Sequence, residues 1–359
     1  MIITRTPFRL SFLGGGTDYA PWYRKHGGAV LSTTIDKYCY ITARHLPPFH
    51  EHRISLVYSR MEQCNTVDEI KHPAAREVLR FLKVDRGVEI HTDADLPGRS
   101  GMGSSSAFTV GMLHSIHALQ GRMVGKQQLA TESIHLEQEV LKEAVGSQDQ
   151  VNAAYGGLNH VLFHPNGEIS VRPVTISPQR MTEFNAHLMM LYTGIRRTAS
   201  SVAGTFINGM EERKRQLRIM KDLVDEGLGI LNSDHDIADF GQLLNEAWQA
   251  KRSLSATVSN SEVDALYTTA QAAGAIGGKL TGAGGGGFLL LFVKPENQQA
   301  VREKFKHLIH VPFKFEFSGS QIIYYEPDQD YSEVERSRDS QTIAPFRELR
   351  EEGLLRGVG

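Results

Sequence analysis

Between Pro97 and Ser106 the chain reads Pro-Gly-Arg-Ser-Gly-Met-Gly-Ser-Ser-Ser, with three glycines and four serines from Gly98 onward. Glycine has no Cβ, so such a backbone can approach an anion closely. Val88 to Thr92 alternates apolar and polar residues and predicts a half-buried strand leading into the run. Ser104 to Gln120 predicts a helix leaving it, with Phe108, Met112, Ile116 and Leu119 on one face and Gly121 as a stop. The start of that helix offers unpaired N–H groups and the positive end of its dipole. Serine hydroxyls add donors for phosphate oxygens or ligands for magnesium. A polyphosphate is the ligand that uses all of these at once. Its candidate contacts are Pro97, Gly98, Ser100, Gly101, Met102, Gly103, Ser104, Ser105 and Ser106. A plain surface loop shares the composition but would not open an apolar-faced helix.

Two other glycine patterns are weaker. A Walker loop needs Lys then Ser or Thr after its last glycine, and Gly278-Lys279 is followed by Leu280. Gly282 to Gly287 satisfies Gly-x-Gly-x-x-Gly, but a dinucleotide fold wants a strand before it and a helix after it. The reading here is helix, loop, strand, with Ser261–Ala273 as the helix, capped by Ser261 and Asp264, and Phe288–Val293 as a buried strand.

The elements around these motifs mix without a regular βαβα alternation, which predicts an α+β fold. Residues 1–60 are mostly β, and Tyr38–Ala43 is rich in β-branched and aromatic residues. Helices are expected at 68–82, 126–145, 211–231, 237–256 and 297–307, and strands at 158–164 and 187–192. Helix dominates after residue 185, so the chain divides into 1–185, 186–327 and a charged, apolar-poor tail at 328–359. A chain of 359 residues suits two intimately packed domains, and 40% hydrophobic residues suffice for a core. Lys plus Arg is 39 and Asp plus Glu is 41, so no basic excess points to nucleic acid or an anionic membrane. No apolar run reaches a membrane span, and the N-terminus meets Pro7 at once, unlike a signal peptide. Cys39 and Cys64 form no Cys-x-x-Cys pair and are expected to be free thiols. A soluble cytoplasmic protein is the expectation, and a homodimer stays open.

Three motifs, in order, carry a family resemblance: Thr6–Asp18 (Thr-Pro-Phe-Arg-Leu-Ser-Phe-Leu-Gly-Gly-Gly-Thr-Asp), the glycine–serine loop, and Lys279–Gly287 (Lys-Leu-Thr-Gly-Ala-Gly-Gly-Gly-Gly). Over roughly residues 1–320 the chain resembles the GHMP kinases, which include galactokinase, homoserine kinase and mevalonate kinase. The resemblance implies an N-terminal domain like ribosomal protein S5 domain 2, a ferredoxin-like C-terminal domain, and ATP with Mg2+ over the second motif. It implies one loop serine as a magnesium ligand, Ser105 being favoured with the register open. Gly146-Ser147-Gln148-Asp149-Gln150 is similar to the segment that carries the catalytic aspartate of galactokinases, which makes Asp149 the base and Arg9 the cation facing it. Glu137, twelve residues before Asp149, matches the second magnesium ligand, with Glu139 and Glu143 as alternatives.

Within the family the first motif reads the acceptor. Galactokinases have Gly-Glu-His-Thr-Asp, where this chain has Gly14-Gly15-Gly16-Thr17-Asp18. Thr17 and Asp18 are kept, while Gly15 and Gly16 open space and remove a negative charge. With Tyr19 and Gln-Asp-Gln, the motif resembles bacterial D-glycero-D-manno-heptose 7-phosphate kinases. These phosphorylate the anomeric C1 hydroxyl on the route to GDP-heptose. The resemblance implies substrate contacts from Gly15, Gly16, Thr17, Asp18, Gly284 and Gly285. Arg196 and Arg197 are the candidates for the 7-phosphate, with Arg99 and Lys25 behind them. The rivals are another sugar-1-kinase such as an L-fucose kinase, and a non-catalytic paralogue that senses sugar and ATP.

Overall fold

The computed structural model describes residues 1–48, 50–195, 210–255 and 258–326, with 331, 333–334 and 336–337. Apart from those last positions, the tail at 328–359 lies outside the described residues. The β-rich N-terminus forms two long antiparallel strands, β1 (Ile2–Leu13) and β2 (Gly28–His45). Pro7 has no N–H for the ladder, and it sits where the register slips between Pro7–Tyr38 and Phe8–Ile35. From Thr6 onward every residue of β1 is buried. Four helices pack against that strand: Ser104–Leu119, Gln148–Tyr155, Lys214–Leu231 and Ala238–Arg252. Strands β3 (Ile54–Val57), β4 (Met61–Cys64), β5 (Val88–Ala94), β6 (Asn159–Phe163) and β7 (Ile169–Pro173) extend the sheet.

A second, antiparallel sheet runs β11-β8-β10-β9, built from β8 (Leu188–Tyr192), β9 (Ala275–Leu280), β10 (Phe288–Val293) and β11 (Ile309–His310). Two late strands, β12 (Phe315–Glu316) and β13 (Gln321–Tyr325), return to the first sheet and pair with β2 and β1. Phe12, Phe184, Phe240 and Phe315 meet between the sheets, with Phe184 and Phe240 centroids 4.7 Å apart. This edge-to-face cluster locks the two halves against each other.

The mixed α+β architecture is as expected, and several local readings are corrected. The helix expected at 68–82 is a 3-10 turn at Val67–Glu69 and then a helix at Pro73–Phe81, because Pro73 restarts it with His72 as cap. The helix expected to Val145 is regular only over Lys126–Ile134, then widens into a π turn at His135–Val140. The segment before Gly282 is a strand, so the third motif is the turn of a β9–β10 hairpin; no helix follows it, and the dinucleotide fold stays excluded. Asn260, not Ser261, caps the Ser261–Ala272 helix through Val263 N. The Ser104–Leu119 helix is buried on nearly every side, not on one face.

Candidate active site

Arg9, on β1, lines a cavity whose wall draws on both halves of the chain. Its guanidinium forks onto Asp149, with Nε to Oδ1 and Nη2 to Oδ2 both 2.7 Å. Asp149 stands in the first turn of the Gln148–Tyr155 helix, where a carboxylate is favoured by the dipole. Arg9 Nη1 also donates to Gly101 O at 2.6 Å, and Arg9 N donates to Met102 O at 3.2 Å. The glycine–serine loop is thereby tied to the ion pair. Gly103 has φ +73°, and a Cβ there would stand 3.2 Å from Arg9 Cγ.

The third motif presses on the loop backbone to backbone. A Cβ on Gly282 would lie 2.6 Å from Gly101 Cα, and one on Gly287 would lie 2.2 Å from Ser100 O. Only glycines allow this approach. Of the predicted loop contacts, Gly101, Gly103, Ser104, Ser105 and Ser106 line the cavity, and Arg99 joins them. Pro97, Gly98, Ser100 and Met102 do not: Ser100 Oγ donates to Pro97 O at 2.6 Å, and Met102 is wholly buried.

Glu137 lies on the π turn and is fully buried. Its Oε2 accepts from Ser106 Oγ at 2.8 Å and from Gln150 Nε2, while Oε1 has no partner. Burial pushes its pKa up to about 7, against the pull of the Ser106 bond. The serine in contact with Glu137 is therefore Ser106, while the favoured Ser105 is exposed. No cluster of three His, Cys, Asp or Glu able to hold a metal occurs among the described residues. A half-satisfied buried carboxylate beside a serine nevertheless has the oxygen chemistry that would suit a magnesium ion taking its remaining ligands from water and phosphate. Glu139 and Glu143 share neither contact.

Elsewhere in the cavity wall, Asp18 is 1% exposed and accepts from Gly16 N at 2.8 Å and Gln148 N at 3.3 Å. Burial raises its pKa; the Gly16 bond opposes this and the charge of Asp149 adds to it. Gly146 makes room for that carboxylate, since a Cβ would stand 1.9 Å from Asp18 Oδ2. Gly15 differs. Its nearest neighbours would be Ser11 Oγ at 3.4 Å and Gln148 Nε2 at 3.6 Å, so here the missing side chain leaves open space in the cavity. Ser11 Oγ and Gln148 Oε1, both in the wall, have no partner.

Several predicted contacts stand elsewhere. Thr17 is buried, and its hydroxyl is spent on Gly14 O and Ala29 O, holding the loop. Gly284 and Gly285 pack on Val258 rather than on the cavity. Lys25 pairs with Glu211 at the surface. Arg196 and Arg197 lie outside the described residues. Sequence reasoning missed Ser11, Gln148, Tyr19, Lys251 and Lys279, which all line the cavity. Lys251 had a signal: it continues the buried stripe Leu244, Ala247 and Trp248 at helical spacing, where a lysine is out of place.

Comparisons with known proteins show the family. Residues 68–157 match the family model of the GHMP kinases N terminal domain, and 220–310 match GHMP kinases C terminal. A D-glycero-alpha-D-manno-heptose 7-phosphate kinase of Campylobacter jejuni is 30% identical, covering 82% of this chain and 90% of that protein. A galactokinase of a Roseiflexus species is 26% identical, covering 86% and 88%. A crystal structure described as a D-glycero-D-manno-heptose 1-phosphate kinase from Bacteriodes thetaiotaomicron shares the fold, with a TM-score of 0.75 at 21% identity over 91% of this chain and all of that one. No described helix is long and apolar enough to cross a membrane. With both halves matched and sugar kinases among its relatives, the chain belongs to the GHMP kinases, enzymes that use ATP to phosphorylate small molecules.

Proposed function

We propose that this sugar kinase transfers the γ-phosphoryl group of ATP to the anomeric C1 hydroxyl of D-glycero-α-D-manno-heptose 7-phosphate, giving the 1,7-bisphosphate for GDP-heptose synthesis. The observation that carries the reading is the Arg9–Asp149 fork in the wall of a cavity whose two sides differ. One side is the glycine–serine loop, suited to polyphosphate. The other is a polar recess beside Gly15, Ser11, Gln148 and Asp18, suited to sugar hydroxyls.

In this reading Asp149 accepts the proton of the C1 hydroxyl as its oxygen bonds to the γ-phosphorus. The bond from that phosphorus to the bridging oxygen breaks, and ADP leaves with the electron pair. Positioned general-base help of this kind is worth on the order of 100- to 10,000-fold. Arg9 orients Asp149 and offsets charge on the transferring group. Loop N–H groups and the dipole of the Ser104–Leu119 helix hold the donor phosphates. Ser106 and Glu137 would hold magnesium, which neutralises phosphate charge when bound. Asp18 and Gln148 orient sugar hydroxyls. Residues 1–185 supply the donor-binding domain and 186–327 the C-terminal domain, except that β12 and β13 return to the first sheet. Cys39 and Cys64 are free and buried, which fits a reducing, cytoplasmic setting.

The intact fork argues against a non-catalytic sensor. The test is a screen of sugars and sugar phosphates with ATP and Mg2+, reading ADP release and assigning the product position by NMR. Heptose 7-phosphate should be turned over at C1, with galactose and L-fucose poor. Equal or better turnover of an unphosphorylated hexose overturns the acceptor assignment.

A further inference from the structure

The cavity contains two lysines that the mechanism above leaves idle. Lys251 ends the Ala238–Arg252 helix and is 9% exposed; Lys279 lies on β9 and is 3% exposed. Both line the cavity. Among the described residues, neither has a carboxylate within ion-pair distance. Lys251 Nζ donates to Gly282 O, and Lys279 Nζ donates to Phe12 O at 2.8 Å. An ammonium has three donors, so each keeps two for something else. A buried cation without a counter-ion is costly, and proteins rarely keep one unless a ligand completes it. Burial, then the charge of Arg9, push Lys251 down to about 8, with Asp18 and Asp149 pulling the other way. Lys279 lies well below its usual value through burial and through Lys251. Both amines line the same cavity as Arg9, Asp18 and Asp149.

We infer that Lys251, seconded by Lys279, seats the phosphate group that the acceptor already carries, and so selects phosphorylated over unphosphorylated sugars. The cavity wall bears Arg9, Arg99, Lys251 and Lys279 against only Asp18 and Asp149. With Asp149 engaged by Arg9, the lysines face Asp18 alone, and a phosphate monoester dianion supplies the missing charge. This rests on the acceptor reading above. It moves the phosphate seat from Arg196 and Arg197 to a lysine pair inside the cavity.

The test is Lys251→Met, close in shape and uncharged, with Lys279→Met as the second variant. Removing a buried unpaired charge should leave the melting temperature equal or higher, which verifies the fold. For each enzyme, kcat/KM is measured with heptose 7-phosphate and with the dephosphorylated heptose, and KM is measured for ATP. A lost charge-assisted contact should lower the ratio of the two kcat/KM values roughly 10- to 100-fold, mostly through KM of the sugar phosphate. An unchanged ratio with a raised ATP KM overturns the inference and assigns the lysine to the donor. An unchanged ratio and an unchanged ATP KM also overturn it, leaving Lys251 a structural link to Gly282. If the wild type itself prefers the unphosphorylated sugar, the acceptor reading falls first and this inference with it. The wild-type ratio thus tests the acceptor, and its change in the variant tests the lysine.

Discussion

Asp149→Asn is the most direct probe of the chemistry, because asparagine keeps the shape of the side chain and removes only its charge and basicity. Two effects are expected. The first is catalytic: without a proton acceptor, kcat should fall on the order of 100- to 10,000-fold. The second is structural. Arg9 is 4% exposed, and Asp149 takes two of its hydrogen bonds, leaving it Gly101 O. Breaking a fully buried pair costs about 3–5 kcal/mol. The Asp149 side chain, however, is 24% exposed, and water screens part of that loss. A cost of about 1–3 kcal/mol follows, enough to lower the melting temperature but not to unfold the protein. Turnover is followed by coupled ADP release at saturating acceptor, and ATP affinity by titration calorimetry. ATP should bind within a few-fold of wild type, since the loop that holds it is intact. A folded variant with kcat within about tenfold of wild type would refute Asp149 as the base.

Two further outcomes follow from the site. Glu137 has a folded-state pKa of about 7 against an ordinary 4.5, so folding favours its protonated form. That contribution is complete below about pH 4.5, is lost as pH rises, and is gone above pH 7. It amounts to roughly 3 kcal/mol. The metal-free protein should therefore lose stability across this window, Mg2+ with ATP should restore it at pH 8, and Glu137→Gln should abolish both effects in melting curves. A Mg2+-dependent gain that survives in Glu137→Gln would place the ion elsewhere. Gly146→Ala would drive a methyl to within 1.9 Å of Asp18 Oδ2, so Asp18 must move. The KM for the acceptor should rise about tenfold or more while the KM for ATP holds, and equal rises in both would refute the assignment of Asp18 to the acceptor side.

The glycine–serine loop was the most legible part of the chain, because its physics is local. Glycines, serines and a helix start act over ten consecutive residues, and the strand before Pro97 and the helix from Ser104 form as expected. The π turn was not legible: nothing in the sequence from Ile134 to Val140 marks the widening that carries Glu137 into the core. Nor was the hairpin character of the third motif, since Gly277 and Gly278 weaken the strand signal of β9, and a Cβ on Gly277 would stand 1.9 Å from Gly241 O.

What the sequence determined by itself is the ordered trio of motifs, the α+β class, and the pairing of a basic and an acidic residue 140 positions apart as candidates for catalysis. What tertiary structure alone decided is which of the candidates share a cavity. It leaves Thr17, Gly284 and Gly285 out of the cavity wall, puts Ser106 rather than Ser105 beside Glu137, and brings Lys251 and Lys279 into the same cavity from distant segments. The reason is that a motif records local backbone needs, whereas charge balance in a cavity depends on side chains contributed by elements hundreds of residues apart, and only packing brings those together.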